Sequence, residues 1–371
     1  MEDIKMADQK AQYAWLKSEL DAAFLSAMGS MGTAEGEAAQ VRRFAGRLKA
    51  DLQVSRVVAC AGAAGALQLA LLALYLPAGA EVILPAFADA PATDLVNRLG
   101  LKPVFADVLP GTFTLDPAAT EKAITTATAA VMPVHLFGQC ANMEALLQLA
   151  RKYKLWVLED NTQAFGADYI QADGHSQKAG TIGDIGITSF YPAKPLYDQG
   201  EGAAVLVNDP ALALSLEKTM AAQVQGIKEI DVLQAAMLEV KVKHIAEFVV
   251  ARQRIAAFYD SAFADTPQVQ TPERAPYSSH TYQQYAITVA PEIRDGLKEY
   301  LRDNHIPSMV YYPQPLHLLE AFLYRGYAPG AFPVAESLSK SILSLPMHSE
   351  LKEDQLTYIC GHVLDYVRKY S

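Results

Sequence analysis

Cysteine is scarce in this chain of 371 residues, which contains only Cys60, Cys140 and Cys360. The three stand far apart and fit neither a metal-ligand motif nor a disulfide framework. We therefore expect reduced core thiols, as in a cytoplasmic protein, and no metal site. The charged N-terminus, residues 1–5, lacks the apolar core of a signal peptide.

Clusters of lysine and arginine are also missing. The chain has 31 basic and 41 acidic residues and a net charge of −10, which excludes nucleic acid as its main partner. Residues 57–76 carry no charge and are long enough to cross a bilayer. However, a glycine-punctuated turn at residues 61–65 divides them into a short strand and a strong helix former, residues 66–74. We therefore expect no membrane span.

Between residues 56 and 208, short apolar runs alternate with helical patterns. Such alternation predicts an α/β fold with a mostly parallel sheet that is covered by helices on both faces. The seven expected strands are residues 57–60, 81–84, 102–107, 129–134, 155–158, 186–190 and 203–207.

A second, smaller unit is expected after a long connecting helix at residues 231–263. The length of the chain suits one large domain, residues 1–245, and a small C-terminal α/β domain, residues 246–371. The other predicted elements are a helix at residues 8–28, strands at 284–289 and 308–312, and helices at 293–304, 332–342 and 354–368.

Asp160 and Lys194 are the residues that indicate chemistry. Asp160 ends a buried apolar run, and Lys194 follows another short β-rich run after a proline turn. Open α/β sheets bind ligands at the carboxyl ends of their strands. There a lysine amine can form a Schiff base with the aldehyde of pyridoxal 5′-phosphate (PLP), and an aspartate can keep the pyridine nitrogen protonated. Taken alone, such a lysine is usually a surface residue and such an aspartate often caps a helix.

The motifs around these two residues occur in a characteristic order. They resemble the DegT/DnrJ/EryC1/StrS family of PLP-dependent nucleotide-sugar aminotransferases, which have fold type I. The resemblance extends from Met6 to His348, and its C-terminal half is closest to enzymes that aminate UDP-linked 3-oxo-N-acetylhexuronates. The motifs are Glu-Asp-x-x-Gln-Ala-Phe-Gly at 159–166, Gly-Asp-Ile-Gly at 183–186, Ser-Phe-Tyr-Pro-x-Lys at 189–194 and Gly-Glu-Gly at 200–202.

The resemblance implies a role for individual residues. Lys194 would hold the cofactor and move a proton, Asp160 would face the ring nitrogen, and the Gln163 amide would touch the phenolic oxygen. Backbone amides at the start of a helix suit a phosphate. The expected phosphate contacts are Ala63, Ala64, Gly65 and Ser189, and the expected substrate contacts are Tyr191 and His317. A lone histidine is more often structural, which is also our interpretation of His135.

Three positions depart from the family pattern. The threonine usual at the phosphate turn is Ala64 here, and our register places Asp89 where an aromatic residue usually stacks on the cofactor ring. Either this register slips, with Phe87 two residues earlier, or the site is altered. The family's Gly-x-Asn-x-Arg motif, whose asparagine reaches the phosphate of the neighbouring subunit, is replaced by residues 226–230, with Lys228 near the lost asparagine. These changes predict weaker cofactor binding.

The sequence thus predicts a homodimeric, PLP-dependent aminotransferase that uses an amino acid such as glutamate and a nucleotide-linked keto-sugar. A dehydratase of the same fold is disfavoured, because Lys194 is present where such enzymes have histidine. The departures leave a second hypothesis open, a binding or regulatory protein that keeps the fold with altered or lost turnover.

Overall fold

The computed structural model describes residues 3–190 and 202–370. The α-helices there are α1 (Gln9–Ser30), α2 (Ala34–Leu52), α3 (Ala63–Ala73), α4 (Ala90–Arg98), α5 (Pro117–Ala123), α6 (Met143–Tyr153), α7 (Pro210–Ala221), α8 (Val232–Lys243), α9 (Ile245–Phe263), α10 (Pro291–Asp303), α11 (Pro333–Ser341) and α12 (Glu353–Tyr370). The strands are β1 (Arg56–Cys60), β2 (Glu81–Pro85), β3 (Lys102–Ala106), β4 (Thr128–Val131), β5 (Trp156–Asp160), β6 (Asp168–Ile170), β7 (Ser176–Lys178), β8 (Ile185–Ser189), β9 (Ala203–Val207), β10 (Tyr285–Thr288) and β11 (Ile342–Leu345).

A seven-stranded sheet forms the centre of the large unit, in the order β1-β9-β8-β5-β4-β2-β3. The pairs from β8 through β3 are parallel, and β9 runs antiparallel to both β8 and β1. The mostly parallel α/β fold is therefore confirmed, and all seven predicted strands are present with ends shifted by a few residues. The short β6–β7 hairpin and helices α2 and α7 were not predicted.

Helices cover both faces of this sheet because its strands are apolar on both sides. In β2, Val82 and Leu84 pack in the core with α3, α4 and α7, while Ile83 points to the opposite face, in the core with α6. Helices α1, α2 and α8 form a third core against β1 and β9. The carboxyl ends of the parallel strands stay free of these layers. No helix of the described ranges is long and apolar enough to span a bilayer.

The C-terminal unit has its own core. Strands β10 and β11 pair antiparallel, and side chains from α9, α10 and α12 pack around them. Tyr259 and Tyr285 are among the largest fully buried side chains of this core. The domain boundary near residue 245 remains a prediction.

Two predicted elements need correction. The helix expected at 231–263 is broken at His244, whose φ and ψ of −102° and 8° are not helical. The ring of His244 pairs with Glu247 and Glu19, which fixes the chain at the break. The strand expected at residues 308–312 is a single bridge from Met309 to Ser344. Prolines on either side of that segment, at 307 and 313, lack the N–H groups that would extend a ladder.

A buried carboxylate organises the carboxyl end of β5. The Glu159 side chain accepts hydrogen bonds from His135 Nε2 (2.8 Å) and from the backbone N–H groups of Gly180 (2.5 Å), Ile182 (2.8 Å) and Gly183 (2.8 Å). The Ala141 N–H donates to His135 Nδ1, so the proton of the neutral ring is on Nε2. Burial by itself raises the pKa of Glu159, but the His135 contact and the backbone amides together hold this pKa below its usual range.

The same loop approaches β8 very closely. A Cβ on Gly186 would lie 1.8 Å from the carbonyl oxygen of Gly180. That position tolerates only glycine, because backbone rather than a flexible side chain occupies the space. The loop at residues 180–183 is therefore fixed both by Glu159 and by contact with β8.

We expect Gly186→Ala to lower the thermal unfolding temperature, because the loop must move away from β8. The cost should be about 1–3 kcal/mol, as for other overpacked cores. Gly46→Ala in α2 is the matched control, since a Cβ there meets nothing within 4 Å. Because alanine is the better helix former by about 1 kcal/mol, this control should unfold at the same or a higher temperature. Equal unfolding temperatures for Gly186→Ala and the wild type would contradict the prediction.

We expect Glu159→Gln to destabilise the protein by about 1.5–3 kcal/mol at neutral pH, because an amide cannot accept all of the charge-assisted hydrogen bonds. A carboxylate with a lowered pKa stabilises the fold above its unfolded pKa of about 4.3, and the contribution is lost as pH falls through the folded pKa. The stability difference between the two proteins should therefore shrink below about pH 4. Unfolding curves from pH 7 to pH 3.5 measure this difference. Glu217→Gln, at an exposed ion pair with Arg56, is the control, and a pH-independent difference would refute the assignment.

Candidate active site

A cleft lies at the carboxyl ends of β2, β4, β5 and β8, beside the first turns of α3 and α4. It encloses about 680 Å³, part of it continuous with solvent. Its walls are mostly apolar and its polar groups are few. The lining residues are Ala63, Ala64, Leu67, Leu84, Pro85, Ala88, Asp89, Pro91, Ala92, Thr93, Leu95, Met132, Val134, Asp160, Thr162, Gln163 and Ile187.

Asp160 brings a negative charge into this cleft. Its residue is 7% exposed, and its Oδ1 accepts a hydrogen bond from the Thr162 N–H at 2.9 Å. The backbone is fixed on both sides, because the Asp160 N–H donates to the Pro133 carbonyl and the Asp160 carbonyl accepts from the His135 N–H. Glu159 points away into its own network. Of the two adjacent acids, Asp160 is therefore the one available to a ligand.

Gln163 lines the cleft three residues later and is held from two sides. Its Oε1 accepts from the Phe137 N–H at 3.1 Å, and its Nε2 donates to the Tyr312 hydroxyl at 3.0 Å. Tyr312 belongs to the C-terminal part of the chain. The contact between Gln163 and Tyr312 was not expected from the sequence, since 149 positions separate them.

The start of α3 offers backbone N–H groups to the cleft. The N-cap residue, Gly62, makes no side-chain capping bond, so the first amides of the helix keep their donors. Ala63 and Ala64 line the cleft, whereas Gly65 is buried behind them. A Cβ on Gly65 would lie 2.8 Å from the Gly226 carbonyl oxygen. This glycine therefore lets the segment at 226–230 lie against the turn.

Of the four predicted phosphate contacts, Ala63 and Ala64 line the cleft, whereas Gly65 and Ser189 do not. The Ala61 N–H donates to the Lys228 carbonyl, and the Lys228 side chain is exposed. Ser189 is buried at the end of β8 and does not line the cleft. The roles of Ser189 and Gly65 remain predictions.

Asp89 lines the cleft and is exposed at the N-cap position of α4. Phe87, two residues earlier, is fully buried and packs edge-on against Tyr312, so it cannot supply a stacking ring in the cleft. One turn below Asp89, the Thr93 side chain lines the cleft, and its residue is 1% exposed. Its hydroxyl has no hydrogen-bond partner among the described residues. Sequence analysis missed Thr93 and Thr162, and only the spacing of Thr93 from Asp89 could have indicated it.

His317 lies outside the cleft lining. It is fully buried, its Nε2 is 3.0 Å from Glu336 Oε1, and its ring packs against Phe332. This geometry suits a structural histidine, and the substrate contact remains a prediction without geometric support. Lys194 and Tyr191 lie outside the described residues.

The cleft fits PLP. It combines the Asp160 carboxylate for a ring nitrogen, uncapped α3 amides for a phosphate and apolar walls. Thr93 also lines it, with a buried hydroxyl that has no partner within the described part of the chain. Asp89 is the lining residue that does not suit PLP, because a carboxylate cannot stack on an aromatic ring. Within residues 3–190 and 202–370, no three His, Cys, Asp or Glu side chains group as a metal site requires.

Comparisons with known proteins found similar chains over nearly the whole length. A curated relative from Geobacillus stearothermophilus, 35% identical over the full length of both chains, is named a pleiotropic regulatory protein. Another, from Pseudomonas aeruginosa, is 32% identical over 96% of this chain and 99% of its own, and is named UDP-2-acetamido-2-deoxy-3-oxo-D-glucuronate aminotransferase. The crystal structure of DesV from S. venezuelae with a ketimine intermediate superposes over 100% of both chains, with a TM-score of 0.90 and 31% identity.

The family model for these enzymes matches residues 16–364, which is most of the chain. The relatives and the superposed structure cover the same span, so the resemblance first seen in short motifs holds for the whole fold. The chain belongs to the DegT/DnrJ/EryC1/StrS aminotransferase family, whose members are PLP-dependent sugar aminotransferases.

Proposed function

We propose that this protein transfers an amino group from an amino acid such as glutamate to the 3-oxo carbon of a UDP-linked N-acetylhexosamine or N-acetylhexuronate, for polysaccharide or amino-sugar synthesis. The observation that carries the proposal is the cleft in which Asp160, Gln163 and the α3 amides meet. The substrate class rests on the relative that is named for a UDP-3-oxo-glucuronate.

Bound PLP supplies an aldehyde for the amino donor and a ring that accepts electrons from the donor carbon. Asp160 would hold the proton at the ring nitrogen, because a buried carboxylate stabilises the positive charge there. Amides of Ala63 and Ala64 would bind the phosphate at the N-terminus of α3. The Lys194 amine would move the proton between the substrate carbon and the cofactor carbon. In the net reaction the donor becomes a 2-oxo acid, and an amine replaces the ketone of the sugar.

A second candidate is a binding or regulatory protein of the same fold. The observation that favours it is Asp89 in the cleft, since a carboxylate cannot stack on a cofactor ring. The name of the Geobacillus relative points in the same direction. Turnover measurements separate the two candidates.

We expect the PLP-loaded protein to convert UDP-linked 3-oxo-N-acetylglucuronate and glutamate into the 3-amino sugar and 2-oxoglutarate. Mass spectrometry of the sugar and an enzymatic assay of 2-oxoglutarate measure the two products. Lys194→Ala and Asp160→Asn should each lower the rate, by about 10²–10⁴-fold for a lost proton-transfer group. Asp303→Asn, at an exposed acid on α10, should keep the wild-type rate.

Three other results would redirect the proposal. Turnover with a dTDP-linked 3-oxo sugar alone would replace the substrate and keep the reaction. Borohydride reduction that fixes the cofactor to a lysine other than Lys194 would move the catalytic base. PLP binding without turnover of any keto-sugar would favour the regulatory candidate.

We also infer a homodimer. Helix α1 packs Leu16 and Leu20 into the core but exposes several large apolar side chains. Phe24, Leu25 and Met28 lie close together in the last two turns of the helix, which supports a protein interface there, and a two-fold dimer is the commonest assembly of soluble proteins. The exposed side chains include Trp15, Phe24, Leu25, Met28 and Met31.

Light scattering at micromolar concentration should give twice the mass of one chain. Leu25→Lys should shift the mass toward the monomer, because the new charge would be buried in the interface. Leu214→Lys, at a comparably exposed leucine on α7, should leave the dimer intact. A monomeric wild type, or equal effects of the two substitutions, would contradict the inference.

A further inference from the structure

Tyr312 makes a contact that the proposed chemistry does not yet use. We propose that Tyr312 is a positioning residue, which orients the Gln163 amide so that its second N–H faces the phenolic oxygen of bound PLP. The inference deepens the proposed function and rests on its cofactor and on the role of Gln163, but not on the identity of the sugar.

The orientation of the amide follows from its two partners. A backbone N–H can only donate, so the atom of Gln163 that faces the Phe137 N–H must be Oε1. The NH₂ group then faces the Tyr312 hydroxyl and donates one of its two N–H groups to it. One N–H of the amide is left. Because Gln163 lines the cleft, that remaining donor is available to a ligand acceptor.

Phe137 fixes the geometry of this unit. Its φ and ψ of 56° and 13° lie in the left-handed region, which is uncommon for a bulky residue. Such a conformation persists only where the surroundings determine it. The Phe137 ring also stacks on the Tyr312 ring, with centroids 5.8 Å apart and an interplanar angle of 18°. One residue therefore holds the oxygen of Gln163 and packs the tyrosine that holds its nitrogen.

Tyr312 is built to accept this hydrogen bond. Phe87 packs edge-on against the Tyr312 ring, with centroids 5.2 Å apart, and both belong to the same apolar cluster. Burial, with smaller contributions from the charges of Asp89 and Asp160, raises the pKa of the hydroxyl well above its usual value. The side chain therefore stays neutral at physiological pH and cannot act as a base. Tyr312 is not among the residues that line the cleft, and its hydroxyl is joined to the lining by the hydrogen bond from Gln163.

The contact also joins two parts of the chain. Gln163 follows β5 in the large unit, while Tyr312 lies just after the Met309 bridge to β11 of the C-terminal unit. Closing this hydrogen bond ties the position of the C-terminal segment to the amide at the cofactor. Loss of the tyrosine hydroxyl should free the amide to rotate and cost the cofactor one well-aimed donor.

The test is a double-mutant cycle on the binding of pyridoxamine 5′-phosphate, which needs neither Lys194 nor a sugar. Titrations followed by intrinsic fluorescence compare the wild type, Tyr312→Phe, Gln163→Ala and the double variant. We expect Tyr312→Phe to weaken binding by about 3–10-fold, the effect of one neutral hydrogen bond. In the Gln163→Ala background the same substitution should have no further effect. Tyr311→Phe, the neighbouring tyrosine, should bind like the wild type.

A second measurement separates positioning from general packing. With the 3-deoxy analogue of pyridoxamine phosphate, which lacks the phenolic oxygen, the wild type and Tyr312→Phe should bind equally. Equal losses from Tyr312→Phe with and without Gln163, or with and without the phenolic oxygen, would overturn the inference. Unchanged binding by Tyr312→Phe, or no binding by the wild type, would overturn it as well. A failure of sugar turnover alone would leave this result standing and would reject only the substrate proposal.

Discussion

The hydrogen bonds of the buried Glu159 carboxylate are the interaction on which the site depends. An ionised carboxylate inside a protein is costly unless donors satisfy it. Here one imidazole and three backbone amides do so, and they come from the β4–α6 connection and from the loop before β8. Because these segments converge on one side chain, the carboxyl end of β5 is held against the loop that leads into β8. Asp160, the next residue, is thereby delivered to the cleft with its backbone fixed.

Glu159 and Asp160 have different roles because they are adjacent residues of a pleated strand. Successive side chains point to opposite faces, so Glu159 enters the core while Asp160 faces the ligand space. This difference also explains why each tolerates its environment. Glu159 has four donors and no need of a ligand, whereas the Asp160 carboxylate has one backbone donor and can still bind a cation. A protonated ring nitrogen meets that need.

The departures expected from the family resemblance fall on one side of the cleft. Asp160 and Gln163 line the β5 side, while the first turns of α3 and α4 carry Ala64 and Asp89, where the resemblance leads us to expect a threonine and an aromatic residue. Thr93 lines the same side, and its hydroxyl is buried and without a partner among the described residues. Binding of the ring should therefore rely more on the nitrogen and phenolic contacts of the β5 side than on stacking.

The sequence by itself determined the fold class, because apolar runs of strand length alternating with helices permit few arrangements, and it determined which residues end the central strands. It could not show that the helix at 231–263 breaks at His244, since both halves keep one apolar periodicity, nor that residues 308–312 form only one bridge. Tertiary structure alone decided that Gln163 meets Tyr312 across 149 positions and that His317 turns toward Glu336. The first contact depends on how two separately packed units approach each other, and the second depends on packing within the C-terminal part, so no local sequence pattern encodes either of them.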